Sequence, residues 1–230
     1  MSSNPASLTL HDVLRHPAIW RGDGCSTHAI LPSGHAALDA ALPGGGWGLG
    51  QINELLHTPG QGELRLLWPA LRRTAGRVVL VAPPWPPYAP AWAQAGIAPE
   101  RLIWLRPQNR TDLLWALEQA LAESGCAAVL GWLAGALDDR SARRLQLAAR
   151  RGQGAGFLLR HGVTADVSSP FPLRLALAAQ PAGWQLRVLK RRGLPLTAPI
   201  LLTDHEIRHA LAGTPSAYAG ARRLPGRVAA

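Results

Sequence analysis

The 230-residue sequence predicts an α/β fold: a mostly parallel, twisted sheet flanked by helices, with an antiparallel hairpin at one edge. Three observations predict it. Short, continuously apolar segments such as Arg77-Val78-Val79-Leu80-Val81 and Ala127 to Leu130 have the character of strands covered on both faces. Longer segments between them repeat apolar residues at helical spacing, and strands alternating with helices imply right-handed parallel crossovers. After residue 168 the pattern changes to two strands around Gln180-Pro181-Ala182-Gly183, a hairpin turn signal.

In chain order, Leu8 to Arg15 predicts a short helix ended by Pro17, within an N-terminal arm over residues 1–29. The core domain spans residues 30–212. It opens with a short helical segment, Ala36 to Ala41, stopped by Pro43 and Gly44-Gly45-Gly46. A strand over Gln51 to Leu56 leads into Thr58-Pro59-Gly60-Gln61-Gly62, and Glu63 to Thr74 predicts a helix with Leu64, Leu67, Trp68 and Leu71 on one face. After the Val78 strand, Pro83 to Pro90 holds five prolines and predicts a loop, followed by a strand at Leu102 to Leu105. A helix is predicted from Thr111 as N-cap to Ser124, with Leu113, Leu114, Leu117, Ala120 and Leu121 as its stripe and Gly125 as its end. Ala127 to Leu130 is the next strand. Asp138 caps a helix to Arg151 whose Leu145, Ala148 and Ala149 face inward, and Phe157-Leu158-Leu159 completes the alternation. Leu173 to Ala179 and Trp184 to Lys190 form the hairpin. Residues 213–230 are rich in Gly, Pro and Ala, carry Arg222, Arg223 and Arg227, lack an apolar period, and predict a basic, disordered tail. There is no internal repeat.

Composition bounds the function. With 47% apolar residues, one domain can bury its own core without metal or disulfide staples. The longest nearly uncharged apolar run, Cys126 to Leu137, is too short for the ~18–20 residues of a membrane span, and the N-terminus lacks the features of a secretory signal. A cytoplasmic protein with no membrane partner is expected. Cys25 and Cys126 are isolated and predict free or buried thiols. The net charge of +10 is unevenly placed: residues 1–139, 140–192 and 193–230 carry −2, +10 and +2. Such a field favours an anionic partner, nucleic acid or acidic protein, although 23 of the 24 basic residues are Arg and base composition of the genome is the bland alternative.

The segment Ser33-Gly34-His35-Ala36-Ala37-Leu38-Asp39, the glycines 44–46, Gly48, Gly50 and the strand that follows resemble the approach to the nucleotide site in RecA. Glycines before the strand, not after it, argue against a dinucleotide fingerprint. Leu10-His11 to Trp20-Arg21-Gly22, the Leu189-Lys190-Arg191-Arg192-Gly193 stretch and the length narrow the resemblance to the ImuA-like accessory proteins of bacterial SOS mutagenesis cassettes.

Departures from RecA decide the expected activity. A phosphate loop needs Gly-x-x-x-x-Gly-Lys-Ser/Thr, and here His57 to Leu64 keeps only Gly62 of the diagnostic positions, with Gly60 nearby and Glu63 and Leu64 in place of Lys and hydroxyl. Exchanging an attractive for a repulsive charge at 4 Å shifts each pairwise interaction by roughly 2 kcal/mol in water and about 8 at an effective dielectric of 20. Glu63 instead suits the positive end of the helix it opens. The strand matching the Mg²⁺-linked Asp, Ala127 to Trp132, contains no acid, and the catalytic-Glu region has become Pro83 to Tyr88. No catalytic residue, cofactor or metal is therefore expected. Lys190 and Arg192 match the place where RecA-like lysines reach a neighbour's nucleotide, so a one-faced contact with RecA that caps a filament is one reading and a solvated strand end the other.

His205-Glu206-Ile207-Arg208-His209 spells a zinc-protease motif, yet residues 210–230 offer no His, Asp, Glu or Cys as third ligand, and a surface helical turn is the expectation. The resemblance implies a non-catalytic accessory factor in translesion synthesis, acting with RecA, with an ImuB-like inactive polymerase relative and with an error-prone DnaE-type polymerase. The alternatives are a SulA-like inhibitor of cell division and an ATP-dependent DNA-binding recombinase. Candidate partner or DNA contacts are Arg143, Arg144, Arg150, Arg151, Lys190, Arg191 and Arg192, with single-stranded DNA a further candidate partner. Trp184 in its strand is expected in the core more than as a stacking platform.

Overall fold

The computed structural model describes residues 29–212. The predicted helix at Leu8 to Arg15, the arm up to residue 28, Cys25 and the tail 213–230 lie outside the described residues. The elements, in order, are β1 (Ile30–Leu31), α1 (Ala36–Ala41), β2 (Trp47–Gly48), β3 (Gln51–Leu56), α2 (Glu63–Leu71), β4 (Arg77–Val81), α3 (Ala89–Gln94), a 3₁₀ turn at Pro99–Arg101, β5 (Leu102–Leu105), α4 (Arg110–Ala122), β6 (Cys126–Ala134), α5 (Asp139–Gly152), β7 (Ala155–His161), β8 (Leu173–Gln180), β9 (Gly183–Lys190), β10 (Ile200–Thr203) and α6 (Asp204–Ala212).

Eight strands form one sheet in the order β10-β9-β8-β3-β7-β6-β4-β5. From β8 to β5 every neighbouring pair is parallel, whereas β8–β9 and β9–β10 are antiparallel. The expected parallel sheet with a hairpin edge is thus the observed one, and β1–β2 forms a separate antiparallel pair. Alternate residues of the central strands feed two cores. Leu55, Leu80, Leu130, Phe157 and Leu159 pack with α2 and Trp92 of α3 on one face, and Ile52, Val79, Val129 and Leu158 pack with α4 and α5 on the other. Trp184 is buried in the first of these cores, as expected.

The glycine signature before β3 has a packing cause. Gly34 sits at φ +85°, and a Cβ there would lie 2.5 Å from Pro69 Cβ in the middle of α2. Pro69 in turn has no N–H for the helix ladder. Asp39 accepts a hydrogen bond from the Ser33 N–H at 2.7 Å, so its carboxylate ties the turn before α1.

Several boundaries differ from the sequence reading. Asn109, not Thr111, caps α4, because its extended backbone lets the side chain accept from the Asp112 N–H at 2.9 Å. The proline stretch ends inside a helix, since α3 begins at Ala89 and tolerates Pro90 in its first turn, where no donor is needed. Strands β6 and β7 run past their apolar centres, and β10 was too short to show a pattern. On α2 the core face is Leu66, Leu67, Ala70 and Leu71, leaving Leu64 and Trp68 half-buried toward the sheet's end.

Candidate functional site

In a parallel sheet the crevice beyond the carboxyl ends of the strands is the usual ligand position. Here it is bounded by residues 57–62 after β3, the start of α2, residues 82–88 after β4, and the later residues of β6. The His57 N–H donates to Arg160 O at 2.9 Å, which holds the start of the loop against β7. Gly60 and Gly62 both take positive φ, +86° and +87°, and Gly62 opens α2.

Two indoles flank the loop, and one of them is bonded to it. A Cβ on Gly62 would lie 2.9 Å from the Trp184 ring, and Trp184 Nε1 donates to Gln61 O at 2.9 Å. On the other side, Trp85 comes within 3.8 Å of a Cβ built on Gly60. The Arg65 guanidinium lies 5.8 Å from the Trp184 ring centre.

Glu63 occupies the first turn of α2 with its side chain 6% exposed. Its Oε2 is 3.7 Å from His57 Nδ1 and accepts no hydrogen bond among the described residues. Burial lowers the His57 imidazole pKa below its ordinary value, with Glu63 opposing the shift and His161, 6.4 Å away between ring centres, adding slightly to it. At neutral pH His57 therefore supplies no full positive charge to Glu63. A phosphate at the helix start would meet this carboxylate, and the side chain after it is Leu64.

Beside Glu63 opens a groove of about 240 Å³, walled by Trp68, Trp85, Tyr88, Trp92 and Trp132 and floored by Leu80 and Leu64. The Trp68 and Trp92 rings meet edge to face at 5.8 Å. Trp85 and Tyr88 are 59% and 70% exposed, whereas Trp132, in the strand expected to lack an acid, is buried. Sequence reasoning singled out residues 57–64 and missed this groove, because its walls come from α2, β6 and the segment after β4. The prolines 83–87 beside Trp85 and Tyr88 were its one local signal.

The basic candidates fall into unlike groups. Arg143, Arg144, Arg150 and Arg151 are exposed on α5, and Arg144 pairs with Glu118 of α4. Strand β9 runs from Gly183, level with Gln180, to Lys190, level with Arg174 and hence with Glu54, so the motif lies away from the loop end of the sheet. Lys190 is exposed and donates to Ser169 O at 2.6 Å. Arg191 is half-buried and donates to Ala41 O and Leu194 O, which makes it a tether of the chain. Arg192 lines a shallow cleft with Gly48 and Gln51 at the start of β3. Gly154, just past the end of α5 and its Arg150 and Arg151, accepts from the Gly50 N–H there at 2.9 Å. Arg150, Arg151 and Arg192 thus approach one end of the sheet.

Two arginines of the basic middle block do not contribute to a surface field. Arg160 and Arg174 are buried around Glu54, in contacts of 2.8 and 3.0 Å. The zinc-protease motif has another role. Thr203 and Glu206 form a capping box at the start of α6, with Glu206 Oε2 accepting from the Thr203 N–H at 2.7 Å and from its hydroxyl at 2.8 Å. These bonds hold the Glu206 carboxyl below the usual carboxylate range. Among the described residues no group of three or more His, Cys, Asp or Glu is arranged to hold a metal ion, and no helix is long and apolar enough to cross a membrane.

Comparison with known proteins adds ancestry to this geometry. The family described as "Cell division inhibitor SulA" matches residues 50–156. The protein ImuA of Caulobacter vibrioides is 32% identical over 139 residues, 56% of this chain and 57% of the relative. SulA of Photorhabdus laumondii is 32% identical over 99 residues, 42% of this chain and 55% of the relative. SulA of Yersinia pestis is 31% identical over 115 residues, 48% of this chain and 68% of the relative. The chain spans a little over half the length of the ImuA relatives it matches. With the core from β3 to α5 shared in this way, the chain belongs to the SulA-like family and has ImuA among its homologues.

Proposed function

We propose that the protein is a non-catalytic accessory factor of the DNA-damage response, acting in damage-induced translesion synthesis by binding other proteins. The observation that carries this reading is Glu63. A buried carboxylate stands at the first turn of α2, where a phosphate-binding lysine would be required, Leu64 follows it in place of the Mg²⁺-binding hydroxyl, and the strand Ala127 to Trp132 carries no acid. At 4 Å a like-charge contact costs about 4 kcal/mol at an effective dielectric of 20, and the missing attraction adds a similar amount. The loop itself is tied by the Trp184 indole, whose Nε1 donates to Gln61 O and whose ring leaves no room for a side chain at Gly62.

The resemblance to ImuA-like proteins implies partners of three kinds: RecA, an ImuB-like inactive polymerase relative, and an error-prone DnaE-type polymerase. Exposed Arg143, Arg150 and Arg151, with Lys190 and Arg192, give a basic surface for an acidic protein face or single-stranded DNA. Contacts of that kind weaken steeply with salt. The kinship with SulA supports a second reading, inhibition of cell division, whose binding partner would be FtsZ.

The test is binding of the purified protein to RecA, to the ImuB-like protein and to FtsZ at two salt concentrations, with Lys190→Glu/Arg192→Glu as the variant. Arg191 is left intact because it tethers α1 and the turn at Leu194. Binding to RecA that the variant destroys supports the one-faced capping contact. Binding to FtsZ alone replaces the accessory-factor reading by the SulA-like one, and ATP turnover stimulated by single-stranded DNA overturns both.

A further inference from the structure

The groove beside the closed loop has a composition that identifies what it takes. Its walls are the faces and edges of four tryptophans and a tyrosine, its rim is the four prolines 83, 84, 86 and 87, and at one end stands the Glu63 carboxylate. Glu63 Oε2 is buried and unpartnered among the described residues. Among the described residues the titratable group beside it is the His57 imidazole at 3.7 Å, which burial keeps mostly neutral. Leaving a buried acceptor without a donor is unfavourable, and native structures rarely do so without a functional reason.

A cation with an apolar, flat body on a peptide suits both kinds of group: the cation meets the carboxylate and the aromatic faces, and the peptide's backbone carbonyls can accept from the Trp68 and Trp132 Nε1–H groups, which are unpartnered among the described residues. Arginine stacks on aromatic faces through a planar, weakly hydrated guanidinium, and its fork donates two parallel hydrogen bonds to a carboxylate. The walls also fit an extended, proline-containing segment, since aromatic grooves dock such chains at low entropic cost. Charge decides against an anionic ligand: Glu63 is negative, and Arg65, at the rim of the same helix start, is engaged over Trp184.

We infer that this groove binds an arginine side chain presented by an extended, apolar and proline-bearing segment of a partner protein, with Glu63 as its counter-ion and Trp85, Tyr88 and Trp132 as its aromatic walls. The inference rests on the proposed function, because it makes the former nucleotide end of the sheet a protein-docking end. The free protein exposes Trp85 and Tyr88 because their partner is a second polypeptide. The partner's arginine replaces, with opposite polarity, the phosphate that this end of a RecA-like sheet would hold.

The probe is a capped heptapeptide with one central arginine flanked by leucine and proline, titrated into the full chain while tryptophan fluorescence is read, beside the same peptide with citrulline. The expected result is saturable binding of the arginine peptide and at least tenfold weaker binding of the citrulline one. Glu63→Gln should reduce the arginine peptide's affinity by a similar factor and leave the citrulline peptide's unchanged. Trp85→Ala, at an exposed position that folding does not need, should weaken both peptides. Equal binding of the two peptides, or indifference to both variants, overturns the inference. So does binding that rises when Arg222, Arg223 and Arg227 are all changed to Ala, which would make the chain's own tail the occupant, or self-association abolished by Trp85→Ala, which would make it a second copy. A fluorescent ATP analogue run in parallel separates the two readings: nucleotide binding overturns the proposed function itself, while neither ligand binding overturns the groove alone.

Discussion

Glu54 accepts a hydrogen bond from Arg160 Nη1 at 2.8 Å in the interior of the sheet, with 1% of the Glu54 side chain and 5% of the Arg160 side chain exposed. The other oxygen of Glu54 lies 3.0 Å from Arg174 Nε, so three adjacent strands, β7, β3 and β8, meet at one carboxylate. Two guanidiniums to one carboxylate leave an excess of buried positive charge. Backbone oxygens absorb it: Arg160 also donates to Leu133 O and Gly135 O, and Arg174 to Thr164 O, Ala165 O and Val167 O. The residues between β7 and β8 thereby close over the sheet through side-chain donors.

Replacing Glu54 by Gln should destabilise the fold by about 3–5 kcal/mol, because removing one partner of a buried ion group leaves the others uncompensated. Urea unfolding of Glu54→Gln would measure this. A loss below about 1 kcal/mol would refute the central role of the cluster.

Burial also lowers the pKa of two histidines, His35 and His57, and this gives acid sensitivity with a definite sign. An imidazole held neutral in the fold takes up protons more readily once unfolded, so stability falls as protons are added. Their contribution is complete above the unfolded imidazole value of ~6.5 and declines as pH drops through it toward the lower folded values. Melting temperature should therefore decrease from pH 7.5 to pH 5.5, and His35→Gln/His57→Gln should flatten that slope. A slope unchanged in the double variant would assign the acid sensitivity elsewhere.

The capping box assigns separate roles within the zinc-protease-like motif. Thr203→Ala removes the hydroxyl that the Glu206 carboxylate and N–H both use and should cost about 0.5–2 kcal/mol. His209→Ala, at an exposed position, should change stability by less than about 0.5 kcal/mol. Thermal denaturation of the two variants distinguishes a helix cap from a metal-dependent element, for which both would matter and a chelator would lower the melting temperature.

Gly34→Ala tests why the sequence carries its glycine signature. The new methyl would meet Pro69 Cβ at 2.5 Å in a left-handed backbone, so overpacking of about 1–3 kcal/mol adds to the ~1–2 kcal/mol cost of positive φ for a side-chain residue. Pro69→Ala frees space on the other side of the contact, so the double variant should recover part of the loss. Strict additivity in that cycle would show that the two residues do not meet.

Much of the fold was legible because its signals are local. Val78 to Val81 and Ala128 to Leu130 are apolar on both faces, which a sheet covered on two sides demands, and Asp138 caps α5 as its position before the Leu145 stripe requires, its carboxylate accepting from the Ser141 N–H at 2.8 Å. The hairpin turn was also local, and the observed strands flank Pro181 and Ala182. By contrast, the order of the strands, the covering of Gly62 by Trp184 across the sheet, and the shift of Leu64 and Trp68 from core to groove depend on which segments become neighbours. No periodicity contains that information.

The sequence by itself determined the alternating α/β order, the hairpin edge, and the presence of Glu63 and Leu64 directly after Gly62, because each is a matter of residue type at a fixed local spacing. Only the tertiary structure decided which arginines are free. Arg160 and Arg174 were counted in the basic block, yet they turn inward to Glu54, and Arg191 spends its donors on Ala41 and Leu194. The tertiary structure likewise gathered Trp68, Trp85, Tyr88 and Trp132 beside Glu63. The physical reason is the same in both cases: a charge or an aromatic ring is given its role by the groups within a few ångströms, and those come from distant parts of the chain.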